Sequence, residues 1–308
     1  MNATVAETVR LAAPLRALRP EATDLLDAAC ARAWDAVDHH VLAAVRARAA
    51  VLLGHPAGRR VPVEDETVRD CVELAEQFVL DVAGIGEAGR NLLRRHFDEP
   101  AVPDVVRALF VIEYALRLEL VSARLFDGPV AAPPHRPAAR SAAPSAALRQ
   151  ALADYQDAVV RGDALDPVLT ELVRLRCART HNCRICRTLR LADARDAGAD
   201  DAVTAAVDRY ETSDLDARTK AALRVTDALI TLPAGLSPEA VASARALLGP
   251  EELAELCLDV SKWSTQKVHV ALGTDGADRL PVDGQGVSYF RFDGDGRVAG
   301  FSARPDGG

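Results

Sequence analysis

The sequence predicts an all-α protein in two helical parts of similar size, followed by a short C-terminal β-hairpin. Three observations predict it. Alanine and the aliphatic residues dominate, while aromatics make up only 4% of the 308 residues, a composition that suits helices at close crossings better than a β-sandwich. Apolar residues recur at three- and four-residue spacing along most of the chain, as in Leu169, Leu172, Val173 and Leu175, the period of one helix face. Between the two parts, segment 127–145 gathers Pro129, Pro133, Pro134, Pro137 and Pro144 among Ala, Ser and Arg. Proline removes backbone donors and blocks helix, so this segment reads as an extended linker. It separates residues 1–126 from 146–280 and leaves 281–308 as a tail.

In the first part, Pro20-Glu21 opens an amphipathic stretch to about Leu53, with a break near Asp35 to His39. Helices follow at Asp65 to about Val82, Glu87 to Phe97 and Val102 to Leu125. In the second part the pattern predicts helices over Ser145–Val160, Pro167–Thr180, Cys183–Ala197, Asp201–Tyr210, Asp216–Thr231, Pro238–Leu248 and Glu251–Leu272, with Asp, Ser and Pro at their starts. In the tail, Val287 to Phe292 and Arg297 to Phe301 flank Asp293-Gly294-Asp295-Gly296, a strong hairpin signal. A calcium loop is the competing reading. It fails because Arg297 stands where a third oxygen ligand is needed and no Glu follows at the twelfth position.

The two parts resemble each other. Val45-Arg46-Ala47-Arg48-Ala49-Ala50 aligns with Val173-Arg174-Leu175-Arg176-Cys177-Ala178, and the same offset pairs Asp38 with Asp166, His55 with Cys183 and Gly58 with Cys186. At another offset Cys71–Glu76 resembles Ala222–Asp227. These matches predict a duplication whose first copy keeps the scaffold and has lost the thiols.

A net charge of −8 argues against nucleic acid or an anionic membrane as a partner of the whole molecule. No stretch reaches the roughly 20 apolar residues of a membrane span, and the N-terminal pattern lacks a signal-peptide core; a cytoplasmic protein is expected. Six cysteines in that setting are not a disulfide scaffold. Cys30, Cys71 and Cys257 fall in helical apolar patterns and read as small core residues.

Cys183 and Cys186 differ. They form a CxxC pair after Asn182, inside a run from Leu172 to Ala192 that carries six arginines and no carboxylate. With Asn182 as N-cap, Cys183 lies in the first helical turn. Arg187 is then on its face, and Arg190 lies within reach of both sulfurs. Helix N–H groups and arginines both favour thiolate, which predicts a lowered thiol pKa. Cys186 is the resolving thiol if Cys183 attacks, and the roles reverse if burial reverses access. Two other readings stand beside the redox pair. One is a buried structural pair, against which the cap and the arginines count. The other is a metal site from Cys177, His181, Cys183 and Cys186; ligands this local, amid this much positive charge, make a poor cage for a cation, and no metal is expected. A thioredoxin fold needs a strand before the motif, and none is predicted.

Glu171-Leu-Val-Arg-Leu-Arg176, Cys183-x-x-Cys186 and Asp193-Ala-Arg-Asp-Ala-Gly198 together resemble the carboxymuconolactone decarboxylase and alkylhydroperoxidase D superfamily, CxxC-containing branch. The match is close over about Asp163 to Gly198 and looser to about Gly273, while the first half resembles a degenerate copy. The resemblance implies two tandem helical modules and, in the peroxidase branch, hydroperoxide reduction by the thiol pair with no organic cofactor or metal. It implies a thioredoxin- or lipoyl-type dithiol as external reductant, and a symmetric homo-oligomer, dimer or trimer. Cys183, Cys186 and Glu171 are the catalytic candidates on this basis, and Arg174, Arg187 and Arg190 are candidates for holding a thiolate or a substrate. One departure stands out: where the branch places a relay histidine four residues after the second cysteine, this chain has Arg190, which stays protonated and cannot act as a base. His181 is the nearest substitute, its alternative being an exposed loop histidine. Glu171 acts as a base or pairs with Arg174 or Arg190.

Three functions compete. The first is a thiol-dependent peroxidase or disulfide oxidoreductase acting on hydroperoxides or another small molecule. The second is a cofactor-free decarboxylase or isomerase that holds an anionic substrate with the arginines. The third is a non-catalytic redox-sensing oligomer. The thiol pair favours the first.

Overall fold

The structure is a computed structural model that describes residues 11–59, 63, 65–128, 130 and 146–305. Most of the predicted linker lies outside the described residues. The chain is all-α with a C-terminal hairpin, and it divides into two compact units, Met1–Tyr155 and Gln156–Gly308.

In the first unit α1 (Ala13–Leu18), which the sequence pattern did not predict, precedes α2 (Pro20–Ala36) and α3 (His39–Leu53). The predicted break between α2 and α3 is real: Val37 is extended and the Asp38 side chain accepts from the His40 and Val41 N–H groups, capping α3. Next come α4 (Glu66–Leu80), capped by Asp65, α5 (Glu87–Arg94) and α6 (Val102–Leu125). Helix α6 is buried almost throughout and packs on α2 and α3. It carries a fully buried Glu113–Arg117 pair, and Arg117 Nη2 also donates to Val79 O at 3.0 Å, so the buried charge is satisfied on both sides. Small residues such as Ala49 and Ala50 let α3 approach Leu116 and Leu120 closely. Helix α7 spans Ala146–Val160.

In the second unit α8 (Pro167–Thr180) is capped by Asp166, whose Oδ1 accepts from Leu169 N at 2.9 Å. The single helix expected over Cys183–Ala197 is not formed. It is α9 (Arg184–Thr188), then a strand, β1 (Leu189–Leu191), then α10 (Ala192–Asp196). Helix α11 (Asp201–Ala206) passes into a 3-10 turn to Thr212, followed by α12 (Ala217–Ile230) and α13 (Pro238–Leu247). The helix expected over Glu251–Leu272 is also divided, into α14 (Pro250–Trp263) and α15 (Gln266–Leu272). Helix α8 packs against both α12 and α14, with Leu172, Leu175, Val207, Tyr210 and Leu223 in one core cluster.

The tail forms β2 (Ser288–Phe292) and β3 (Val298–Ser302), paired antiparallel. Asp293 Oδ1 accepts from Asp295 N and Arg297 N at 3.0 and 2.9 Å, so this carboxylate organises the turn. Gly296 has φ +83°, and a Cβ there would lie 2.5 Å from the Asp157 carbonyl, which demands glycine twice over. The hairpin does not stand alone: β2 pairs in parallel with β1, matching Leu189 with Ser288, Arg190 with Tyr289 and Leu191 with Phe290. Among the described residues no helix is long and apolar enough to cross a membrane.

Candidate active site

The site begins where α8 ends. Asn182 takes a left-handed conformation, φ 52°, a region that asparagine tolerates better than most residues. It does not cap the next helix, as the sequence suggested; Cys183 does. Cys183 Sγ accepts from Cys186 N at 3.4 Å, and Cys183 N donates to Ala178 O at 3.0 Å. The two cysteines are joined as a disulfide with Cα atoms 5.3 Å apart. Cys183 is wholly buried, whereas Cys186 is half-buried.

The first turn of α9 is held by Asp275, from the loop after α15. Its Oδ2 accepts from Arg184 N at 2.9 Å, its carbonyl from Ile185 N at 3.0 Å, and its carboxylate pairs with the Arg184 guanidinium at 2.8 Å. Burial works to raise the Asp275 pKa, but the bonds from Arg184 prevail and hold it below the usual range. Sequence reasoning missed Asp275 because it lies 91 residues downstream. Its placement after the α15 C-cap Gly273 was the available signal.

Arg174 organises the other end. It is buried and donates twice to Glu171, at 2.6 and 2.7 Å. Two further N–H groups reach Cys186 O at 2.8 Å and Leu189 O at 2.5 Å, carbonyls that the short α9 leaves without helical donors. Phe290 of β2 and Trp263 of α14 lie against the guanidinium, with ring centroids 5.6 and 6.0 Å away. Glu171 thus spends both oxygens on Arg174, with a further 3.4 Å contact from Leu191 N, and forms no hydrogen bond to a sulfur.

The other predicted residues are more dispersed. Arg187 is exposed and donates to Asn182 Oδ1 at 2.6 Å. Arg190 lies on β1 rather than on a helix face with the cysteines, and Nη1 donates to the Arg187 and Leu189 carbonyls, both at 2.8 Å. Burial, followed by the neighbouring charge of Arg174, pushes the Arg190 pKa down. His181 is no exposed loop residue: it is buried, and Nε2 lies 3.1 Å from Ser264 Oγ at the break between α14 and α15. Cys177 is fully buried and its thiol is pushed up to about 12, chiefly by burial. Lys262, also missed, lies buried with Nζ 3.2 Å from the Trp263 ring centroid, and burial lowers its pKa strongly. Among the described residues no group of three or more His, Cys, Asp or Glu side chains is placed to hold a metal ion.

This geometry can support thiol–disulfide chemistry, with one sulfur reachable and the other sealed. The model of the Carboxymuconolactone decarboxylase family matches residues 146–228, the stretch that contains α8, the disulfide and most of α12. Two proteins of Mycobacterium tuberculosis, from different strains and each named only as uncharacterized, are 37% identical over 232 residues, covering 73% of this chain and 78% of theirs. No solved structure matches the chain significantly.

Proposed function

The chain belongs to the carboxymuconolactone decarboxylase family, and from that premise we propose that it is a thiol-dependent peroxidase, a disulfide oxidoreductase working through Cys183 and Cys186. The observation that carries this reading is the asymmetry of the pair: Cys186 is half-buried while Cys183 has no exposed surface. An incoming thiolate therefore meets Cys186 Sγ first. It forms a mixed disulfide there, the bond between the two cysteines breaks, and Cys183 leaves as thiolate. The Cys186 N–H already bonds to Cys183 Sγ and favours that leaving group. A second thiol displaces Cys186, so two external thiols become one external disulfide.

The reduced protein then turns over a hydroperoxide. Cys186 thiolate attacks the distal peroxide oxygen, the O–O bond breaks, and the alkoxide leaves and takes a proton from water. The sulfenic acid so formed is attacked by Cys183, and water departs as the disulfide is restored. Arg187 and Arg190 flank this step with positive charge, and among the described residues no carboxylate pairs with either. Neither organic cofactor nor metal enters the scheme. A two-module layout and a homo-oligomer belong to the same proposal.

A second reading, a redox-responsive protein without turnover, is supported by the occupation of Glu171 by Arg174: among the described residues no carboxylate is hydrogen-bonded to either sulfur. Steady-state peroxide consumption with an excess of dithiol separates the two. The proposal expects many turnovers per chain, abolished in both Cys183→Ser and Cys186→Ser. Oxidation that stops after one equivalent of peroxide favours the second reading, and turnover unchanged in either variant rules out the thiol pair as the reacting groups.

A further inference from the structure

Against α9, the short helix that carries Cys186, lies an open cleft of about 730 Å³, within the size range of small-molecule sites. Its lining includes Arg179 of α8, Arg184 and Arg187 of α9, Arg190 of β1, the Asp208 carboxylate and the tail loop 285–287. Neither cysteine lines it, but Arg184 and Arg187 bracket Cys186 in the chain. Four arginines thus border one cleft in a chain whose net charge is −8.

Two of the four are neutralised. Arg179 pairs with Asp208 at 2.9 Å and Arg184 with Asp275 at 2.8 Å. The other two hydrogen-bond only to neutral groups among the described residues, although the Glu171 and Asp283 carboxylates act on Arg190 through space. Arg187 uses Nη1 on an asparagine amide oxygen, and Arg190 uses Nη1 on two backbone carbonyls. The Nε and Nη2 donors of both meet no acceptor among those residues. Arg187 is exposed, but Arg190 is half-buried with Arg174 and Arg179 near it; burial, then the charge of Arg174, makes its own charge costly and lowers its pKa. A ligand with a planar or tetrahedral oxyanion relieves it and matches the fork geometry of two guanidinium groups.

The tail part of the lining is built rather than incidental. Asp283 Oδ1 accepts from Gln285 N and Val287 N at 2.8 and 2.9 Å, which shapes loop 285–287, and the loop runs directly into β2. This part lies beyond the family-matched residues 146–228, so the cleft joins a family element to a tail that the match does not include.

We propose that this cleft is a binding site for a small molecule bearing a carboxylate or phosphate, held by Arg187 and Arg190. The reading rests on the redox function to this extent: the oxyanion belongs to one of the two reactants of Cys186, the thiol or the hydroperoxide, and the arms of the test distinguish them. Citrate and pyrophosphate are titrated calorimetrically into the oxidised full-length protein at constant ionic strength. Saturable binding is expected, weakened by at least about tenfold in Arg187→Ala/Arg190→Ala, as for loss of a charge-assisted contact, and weakened less in Arg187→Lys/Arg190→Lys, which keeps the charge and loses the fork. The lysine pair also guards against a folding defect in the alanine pair. No saturable binding, or equal binding in wild type and both variants, overturns the proposal.

The kinetic arms compare glutathione with 2-mercaptoethanol as reductant, and a fatty-acid hydroperoxide with tert-butyl hydroperoxide as oxidant. A preference for the charged reactant that collapses in the alanine pair assigns the oxyanion to that reactant. Anion binding without turnover by any pair of reactants leaves the cleft standing and removes the peroxidase reading. Turnover with no anion binding does the reverse.

Discussion

At the scale of single residues, Arg174 does the most for the site, although its role is structural. Four of its N–H donors are directed at a carboxylate and at two carbonyls, one of them that of Cys186. Arg174→Ala leaves Glu171 as an unpaired carboxylate at 1% exposure and is expected to cost about 3–5 kcal/mol, as for a broken buried pair, read as a fall in the urea midpoint. Arg174→Lys restores the charge and not the fork, so it recovers only part of that loss. The cysteines allow a second residue-level prediction. After reduction, iodoacetamide at mildly alkaline pH modifies Cys186 ahead of Cys183, because only Cys186 is accessible. Cys71, Cys177 and Cys257 stay unlabelled in the folded protein, since burial pushes each thiol up to about 12 and leaves almost no thiolate. Mass spectrometry of the digested protein reads the order directly, and prior labelling of Cys183 would sink the assigned direction of attack.

At the scale of elements, the informative departure is the strand that interrupts the expected helix after the disulfide. Leu189-Arg190-Leu191 has the alternation of a strand as well as helix-compatible residues, and β2 decides between them by pairing along all three. Arg291 of β2 adds ion pairs to Asp193 and Asp196 at α10, which fixes the register from the other side. The Leu191 and Phe290 side chains then share a cluster with Ala194 and Ala199. Phe290→Ala should loosen this junction. Amide exchange at Leu189–Leu191 is expected to accelerate selectively, with α12 unaffected, as for local rather than global opening; equal acceleration in both would show that β2 is not what holds β1. The same junction marks the limit of what the sequence made legible. Caps at Asp38, Asp65, Asp166 and Asp216 were readable because their signals are local, as was the hairpin turn. The β1–β2 pairing, the Asp275 clamp and the Ser264–His181 contact were not. Each joins residues more than 80 positions apart, and no period or cap signal reports such a meeting. The placement of Arg190 failed for the same reason, since reading it onto a helix face presupposed a helix that the tail replaces.

At the scale of the whole molecule, a redox cycle requires a fold that survives both states of the pair. The disulfide closes a loop of only three residue steps, so its loss relaxes little of the unfolded chain, of order 2 kcal/mol by loop-closure entropy. The contacts that shape α9 are independent of the sulfur–sulfur bond: Asp275 holds its start, Arg174 satisfies the carbonyls at its end, and β2 fixes the strand that succeeds it. The extensive apolar burial in each unit lies elsewhere, in α6 with its neighbours and in α8 with α12 and α14. Reduction is therefore expected to leave the far-ultraviolet circular dichroism unchanged and to lower Tm by no more than roughly 8 °C. A larger fall, or loss of helicity, would mean that the disulfide staples the fold, and a staple of that kind cannot serve as the working bond of a catalytic cycle. A small fall leaves the pair free to open and close on a scaffold already fixed by Asp275, Arg174 and the tail.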